Sequence, residues 1–210
     1  MTQARAGASE DVRPRATSDG RTRRALRSRE AIAGALYDLV GQGNPAPTAQ
    51  QVAERAGVGI RSVFRHFEDM ESLYATLDAR LLAEVLPILR EPPCPGDVRT
   101  RVARLVERRA AFFERVAPYK RASNLKRWRS PFLRAQHRRL VSELRADLVR
   151  WLPELEDAEP EIFEALDQTT SFEAWDRLRT DQRLGRARAT ASLERAASAL
   201  VQAADAGHVG

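Results

Sequence analysis

Apolar residues in this chain recur at spacings of three and four, the period of helices that bury one face. The first run predicts a helix over about 22–40, with Leu26, Ile32, Ala35, Leu36 and Leu39 as its stripe. Gly41, Gly43, Pro45 and Pro47 interrupt it. Two short helical patterns then flank Gly57. Thr48 offers a capping hydroxyl to the first, whose Val52, Ala53 and Ala56 share a face. Gly57 stands where a helix ends in the left-handed conformation. The second covers 60–67, with Val63, Phe64 and Phe67 apolar. A fourth helix, capped by Asp69, carries Leu73, Leu77, Leu81 and Val85 until Pro87 ends or kinks it.

Residues 91–96, EPPCPG, form the clearest linker, with a domain boundary there or slightly before it. The pattern beyond it stays helical. A helix over 97–116 has Val98, Val102, Leu105, Phe112 and Val116 inside, and Pro118 breaks it. A short helix over 119–127 follows. Ser130 and Pro131 then cap and open a helix reaching 152, striped by Leu133, Leu140, Leu144, Leu148 and Trp151. Pro153 and an acidic run separate it from a helix over 161–183, stopped by Gly185; a last, Ala-rich helix covers 187–204. No strand or hairpin signal occurs. The expected fold is all-α with about nine helices: a disordered tail over 1–20, a three-helix domain over 21–68, and a helical domain over 69–210.

Composition narrows the function classes. The single cysteine, Cys94, excludes an intrachain disulfide. No stretch reaches the roughly 18 apolar residues of a membrane span, and the N-terminus lacks the apolar core of a signal peptide. A soluble cytoplasmic protein is expected. The formal charge is +6, carried almost wholly by arginine, with Lys120 and Lys126 the only lysines. Basic charge suits a phosphate-bearing partner but does not identify one. Arg13, Arg15, Arg21, Arg23 and Arg24 read as a solvated terminus or as an arm along DNA. His66, His137 and His208 lack zinc-ligand spacing, and no nucleophile elbow, phosphate loop or dinucleotide fingerprint is present. Neither an enzyme nor a cofactor is expected.

The stretch over 48–67 has the layout of a helix-turn-helix. Ala53 lets the two backbones approach, Gly57 turns the chain, and Val63 locks the crossing. The second helix would enter a DNA major groove, presenting Gly59, Arg61, Ser62, Arg65 and His66. Arg61 first and Arg65 second suit bidentate pairing with guanine. Ser62 and His66 suit phosphates, as does Thr48 at the start of the preceding helix. Outside such a motif, the same arginines would read as solvated surface charge. Phe64 and Phe67 read chiefly as core. One motif of this size binds weakly, so a two-fold dimer is expected, with recognition helices about 34 Å apart. The last two helices are the interface candidates, through Phe163, Leu166, Thr170, Leu193, Ala197 and Leu200. The alternative is that one face of these helices packs on the subunit's own core.

VAERAGVG over 52–59, SVFRHFED over 62–69 and Leu73 together resemble the TetR family of transcriptional regulators. The match spans about 21–77, and SFEAWDRLRTDQRLG over 171–185 resembles the family's penultimate helix more loosely. Three departures stand out. Met70 replaces a common Lys and Phe64 a common Tyr, both phosphate contacts in the family; Arg61 and Ser62 stand where Gly-Thr is frequent. Phe64 therefore counts with the DNA-facing set by position. The resemblance implies a homodimer on a double-stranded operator and a small-molecule pocket in the C-terminal half. The clustered aromatics Phe112, Phe113, Trp128, Trp151, Phe172 and Trp175, with His137, are its candidate lining, suited to a hydrophobic effector. His137 lies in an apolar stripe and reads equally as a hydrogen-bonded core residue. The implied function is a repressor released by that ligand. An architectural DNA binder without an effector, an activator and a helical enzyme remain alternatives.

Overall fold

In a computed structural model of the chain, which describes residues 16–67, 70–156 and 158–207, two apolar cores share one helix. Helices α1 (Ala16–Gly41), α2 (Ala49–Ala56) and α3 (Ile60–Phe67) close the first core with the N-terminal half of α4 (Met70–Leu89). Ile32, Val52, Ala53, Val63 and Leu73 are its buried centre. The second half of α4 contributes Val85 to the larger core. Around it pack α5 (Val98–Lys126), α6 (Pro131–Trp151), α7 (Pro160–Thr169), α8 (Phe172–Asp176) and α9 (Arg186–Gly207). All regular structure among the described residues is helical.

Several predicted boundaries move, each for a physical reason. α1 starts at Ala16, so residues 16–20, expected in a disordered tail, belong to its first turns. Extending a helix already nucleated by a buried stripe fixes one residue per hydrogen bond gained, and no apolar pattern is needed for it. Arg13, Arg15, Asp69 and His208 lie outside the described residues. Pro87 lies inside α4, and Pro118 does not break α5. An interior proline costs about 3 kcal/mol. At Pro118 this is offset by burial on both sides of it, of Phe113, Val116, Ala117 and Lys120. The two helices expected over 97–127 are therefore one.

The helix expected over 161–183 is instead divided at Thr170 and Ser171. The Thr170 carbonyl accepts from Arg109 Nη1 at 3.1 Å. The Ala174 amide, which a continuous helix would direct to that carbonyl, donates instead to Ser171 Oγ at 3.1 Å. Ser171 thus caps α8, and a π-turn over Arg177–Asp181 leads towards α9. One merger and one division cancel, leaving nine α-helices among the described residues. Residues 91–96 connect α4 to α5, whose Val85 and Val102 belong to the same core.

Arg109 belongs to a buried ionic group that fixes α5 against its neighbours. It also donates to Thr170 Oγ1 at 2.7 Å and to the Leu144 carbonyl. Arg108 ion-pairs with Asp147, donates to the Leu89 carbonyl at 2.9 Å, and stacks on Trp151 at 4.6 Å. Arg109 lies 3.5 Å from the same carboxylate, and Arg150 pairs with its other oxygen. Burial depresses the Arg109 guanidinium to about 10, against the pull of Asp147. One buried carboxylate thus serves two buried cations, and removing it leaves both without a counter-charge. Asp147→Ala is expected to lose about 3–5 kcal/mol of stability in urea unfolding. A loss below about 1 kcal/mol would show that the group contributes little net stability.

Candidate functional site

The helix-turn-helix is tightly specified. Thr48 Oγ1 accepts from the Gln51 amide at 3.2 Å, and Gln51 Oε1 accepts from the Thr48 amide at 2.9 Å, a reciprocal cap on α2. Gly57 closes α2 at φ 64°, a conformation that strains a side-chain-bearing residue. Val52 and Val63 are fully buried, which pins α3 across α2. Gly59, Arg61 and Arg65 are exposed, and Ser62 and His66 are half-buried. Phe64 departs from the expected core role: it is 57 % exposed on the outward side of α3. Val63 fills the core position beside it, and an eight-residue helix has only one inner face. The Thr48 side chain and amide are engaged in the cap, so any anion at this helix end would meet the following first-turn amides.

A cavity of about 360 Å³ lies where the two cores meet. Leu36 and Val40 of α1, and Pro45 and Pro47 of the following loop, form one side; α4, α5 and α6 form the rest. Leu77, Leu81, Val85, Phe112, Val116 and Leu140 make much of the wall apolar. Polar side chains complete the lining, and several of them are constrained. Gln136 Nε2 donates to Asp78 at 2.8 Å, and burial raises the Asp78 carboxyl while Arg139 draws it down. Burial, then Glu71, push the Tyr74 phenol up to about 12. Lys120, only 8 % exposed, lies 2.5 Å from His137 Nδ1. Burial depresses its ammonium to about 8. Burial first, then Lys120 and Arg127, lower His137, so the imidazole is neutral at pH 7. An ammonium only donates, which makes Nδ1 the acceptor and puts the imidazole proton on Nε2.

Of the seven residues expected at a pocket, Phe112 and His137 line this cavity. Phe113, Trp151, Phe172 and Trp175 are buried in the core behind it. Phe113 meets Phe172 edge-on at 5.8 Å, and Trp175 Nε1 donates to Glu114 at 3.2 Å. Trp128 is 66 % exposed on a 3-10 turn, with Arg129 stacked on it at 4.1 Å. Sequence clustering put these rings together, but their helical phases do not converge. Lys120, Tyr74, Asp78 and the α1 wall lie outside the expected lining. Lys120 continues the spacing of Phe112 and Val116, a signal hidden by the break expected at Pro118. Among the interface candidates, Leu166, Thr170, Leu193 and Ala197 are buried within the one chain, and Phe163 and Leu200 are half-buried against its core. The α7 and α9 helices spend these faces on each other and on α5.

Direct contacts join the two cores beside the cavity. Tyr37 of α1 stacks on Tyr119 of α5 at 4.5 Å, and its hydroxyl donates to Glu84 of α4, which also pairs with Arg115. A Cβ at Gly41 would lie 2.6 Å from the Tyr119 hydroxyl, so only glycine admits this approach. At the other end, Glu71 of α4 accepts from Ser130 Oγ at 2.6 Å and from the Phe132 amide at 2.9 Å. That carboxylate ties the start of α4 to the N-terminus of α6, where negative charge is favoured.

The whole arrangement is a helix-turn-helix braced by its first and fourth helices, backed by an all-α bundle. The chain resembles a transcriptional regulator from Rhodococcus sp. Rha1, whose crystal structure it matches with a TM-score of 0.60 at 22 % identity, over 85 % of this chain and 98 % of that one. The likeness is one of fold. No family model and no curated protein matches the chain. Among the described residues no helix is long and apolar enough to cross a membrane, and no group of three or more His, Cys, Asp or Glu is placed to hold a metal.

Lys120 makes stability depend on pH with a definite sign. Its folded pKa of about 8 lies below the ordinary 10.5. Between those values the unfolded chain holds a proton that the folded chain has released, so stability rises with pH. Below the window both states are charged and the cost of burial is fully present. Relative to Lys120→Met, the wild-type protein is expected to gain about 1–2 kcal/mol between about pH 8 and pH 10, after allowance for screening. Urea unfolding of both proteins across that range measures it; parallel stability curves would rule out the depressed ammonium.

Proposed function

We propose that this chain is a sequence-specific transcriptional regulator that binds double-stranded operator DNA as a homodimer. In this reading it is a repressor released when a small molecule fills the cavity between the two cores. The observation that carries the reading is the outward face of α3. Arg61, Phe64 and Arg65 are exposed there on a helix whose inner face is locked by Val63. The fold shared with the Rhodococcus regulator supports the same role. Arg61 and Arg65 suit guanine edges, and the exposed Phe64 ring, lacking a tyrosine hydroxyl, suits a thymine methyl. Ser62, His66, Gly59 and the Thr48 end of α2 would hold the phosphate backbone.

The dimer would form through the outer sides of α7 and α9. Ala196, Ala199 and Ala203 are exposed along α9, and Phe163 and Leu200 lie at its margin. Small side chains there permit close helix approach, as a two-fold helical interface requires. The cavity supports the effector role because α1 forms part of its wall. An occupant would contact the DNA-binding unit and the bundle together. It would shift the balance between two placements of α3 by its difference in affinity for them, and by no more.

Selection of bound DNA from a random pool at fixed salt tests the proposal. The expected product is a site with two-fold symmetry. Arg61→Ala should lose preference at one base pair in each half-site, at about 1–3 kcal/mol per contact. If the variant selects the same sequence as wild type, Arg61 is not a reader. If the wild-type protein selects no sequence, the chain is an architectural binder or no DNA binder at all.

A further inference from the structure

We infer that the cavity takes an amphipathic carboxylate, its head group held by Lys120 and His137 and its apolar body lying along α4. This rests on the reading of the cavity as an effector site and specifies its chemistry.

The first observation is a missing counter-charge. Lys120 is 8 % exposed and lines the cavity, and its polar neighbour is a neutral imidazole at 2.5 Å. Among the described residues no carboxylate forms an ion pair with it. The carboxylates that share the cavity are committed elsewhere: Asp147 to Arg108 and Arg150, Asp78 to Gln136, and Glu143 lies 4.0 Å from Arg139. Glu173 acts on Lys120 through its charge without forming an ion pair with it, and is itself exposed. The depressed ammonium is what burial without an anionic partner produces. A buried cation with no anion is unfavourable unless something supplies one, and a ligand carboxylate would do so with charge-assisted hydrogen bonds. His137 would add its Nε2 proton or turn its ring to donate.

The second observation is the remainder of the wall. It includes Arg90, Arg139, Glu143, Asp147 and Arg150, but its apolar part along α4 and α6 is formed by Leu77, Leu81, Val85, Leu86, Leu89 and Leu140. They offer an elongated body no hydrogen-bond partner. The volume of about 360 Å³ lies at the lower end of the roughly 300–1,000 Å³ of small-molecule sites. Lys126 of α5 also lines the cavity, so positive charge recurs along the α5 side and selects against cationic ligands.

Dodecanoate and dodecanol, equal in length and differing in the head group, provide the test by calorimetric titration of the full-length protein. Wild type is expected to bind dodecanoate at least about tenfold more tightly than dodecanol. Lys120→Met should lose about that factor for dodecanoate and leave dodecanol unchanged, while Lys120→Arg keeps most of it. Removing an uncompensated buried charge should not unfold the protein, and the wild-type comparison stands without any variant. Equal binding of the two probes, binding of neither, or an unaltered dodecanoate affinity in Lys120→Met would overturn the inference. A gel shift against the selected operator separates the two levels. Tight, Lys120-dependent dodecanoate binding with unchanged operator affinity upholds the carboxylate site and overturns only the effector reading.

Discussion

Burial of Arg109 is the constraint from which most of the C-terminal architecture follows. Its guanidinium is sealed among α5, α6 and the end of α7, and both of its terminal nitrogens meet acceptors there. The Leu144 carbonyl, the Thr170 carbonyl and hydroxyl, and the Asp147 carboxylate are those acceptors. Satisfying it removes the Thr170 carbonyl from helical service, which is why α7 ends there and Ser171 has to cap a new helix. It also sets the depth at which α6 lies against α5. A hydrophobic residue at this position would leave the same elements free to slide, since apolar contacts are not directional. Arg108 repeats the device one residue earlier, reaching the carbonyls of Ile88 and Leu89 at the end of α4. The pair therefore fixes α4, α6 and α7 from a single turn of α5.

That fixation matters because α4 serves both cores. Leu73 packs with Val52 and Val63, and Val85 packs with Val102 and Leu105. A shift at one end of a continuous helix is transmitted to the other. The joints alongside it are polar or aromatic and stereochemically exact in demand: Glu84 receives Tyr37 and Arg115, and Glu71 receives the capped start of α6. Such contacts hold at one register and are lost at another, unlike an apolar surface that slips with little change in energy.

Much of this was legible in the chain, and the failures are instructive. The helix-turn-helix could be read because its determinants are local: a capping Thr48, a left-handed Gly57, and Val52, Ala53 and Val63 at fixed offsets. Helix existence could be read from period alone. What could not be read was tertiary compensation. Pro118 looked like a break because propensity says so, and only the burial of Val116, Ala117 and Lys120 together overrides it. The division at Thr170 depends on a guanidinium 61 residues away in sequence. One clue was in view. Arg109 falls four residues after Leu105 and three before Phe112, squarely on the apolar stripe, and a cation in that position has to find partners. The candidate pocket aromatics diverge in the fold for a related reason. Nearness in sequence does not set helical phase, so Phe113 turns into the core while Phe112, one residue earlier, faces the cavity as well.

The position of the cavity limits how an occupant could act. It is bounded by α1 on one side and by the bundle on the other, so a molecule that fills it cannot press on one core without pressing on the other. The adjoining α1–α5 contact has no slack, since Tyr119 packs where any side chain at position 41 would lie. Packed interfaces of this kind do not deform by small degrees; they hold or they re-form in a different register. A ligand favouring a wider separation of α1 from α5 would therefore displace the helix-turn-helix as a body, carried by α4 about the Glu71 tie to α6. Such coupling is reciprocal. Under the proposed function, DNA that holds two α3 helices at a set spacing would hold the cavity at one width, and tight operator binding would oppose the ligand by the same free energy with which the ligand opposes the operator.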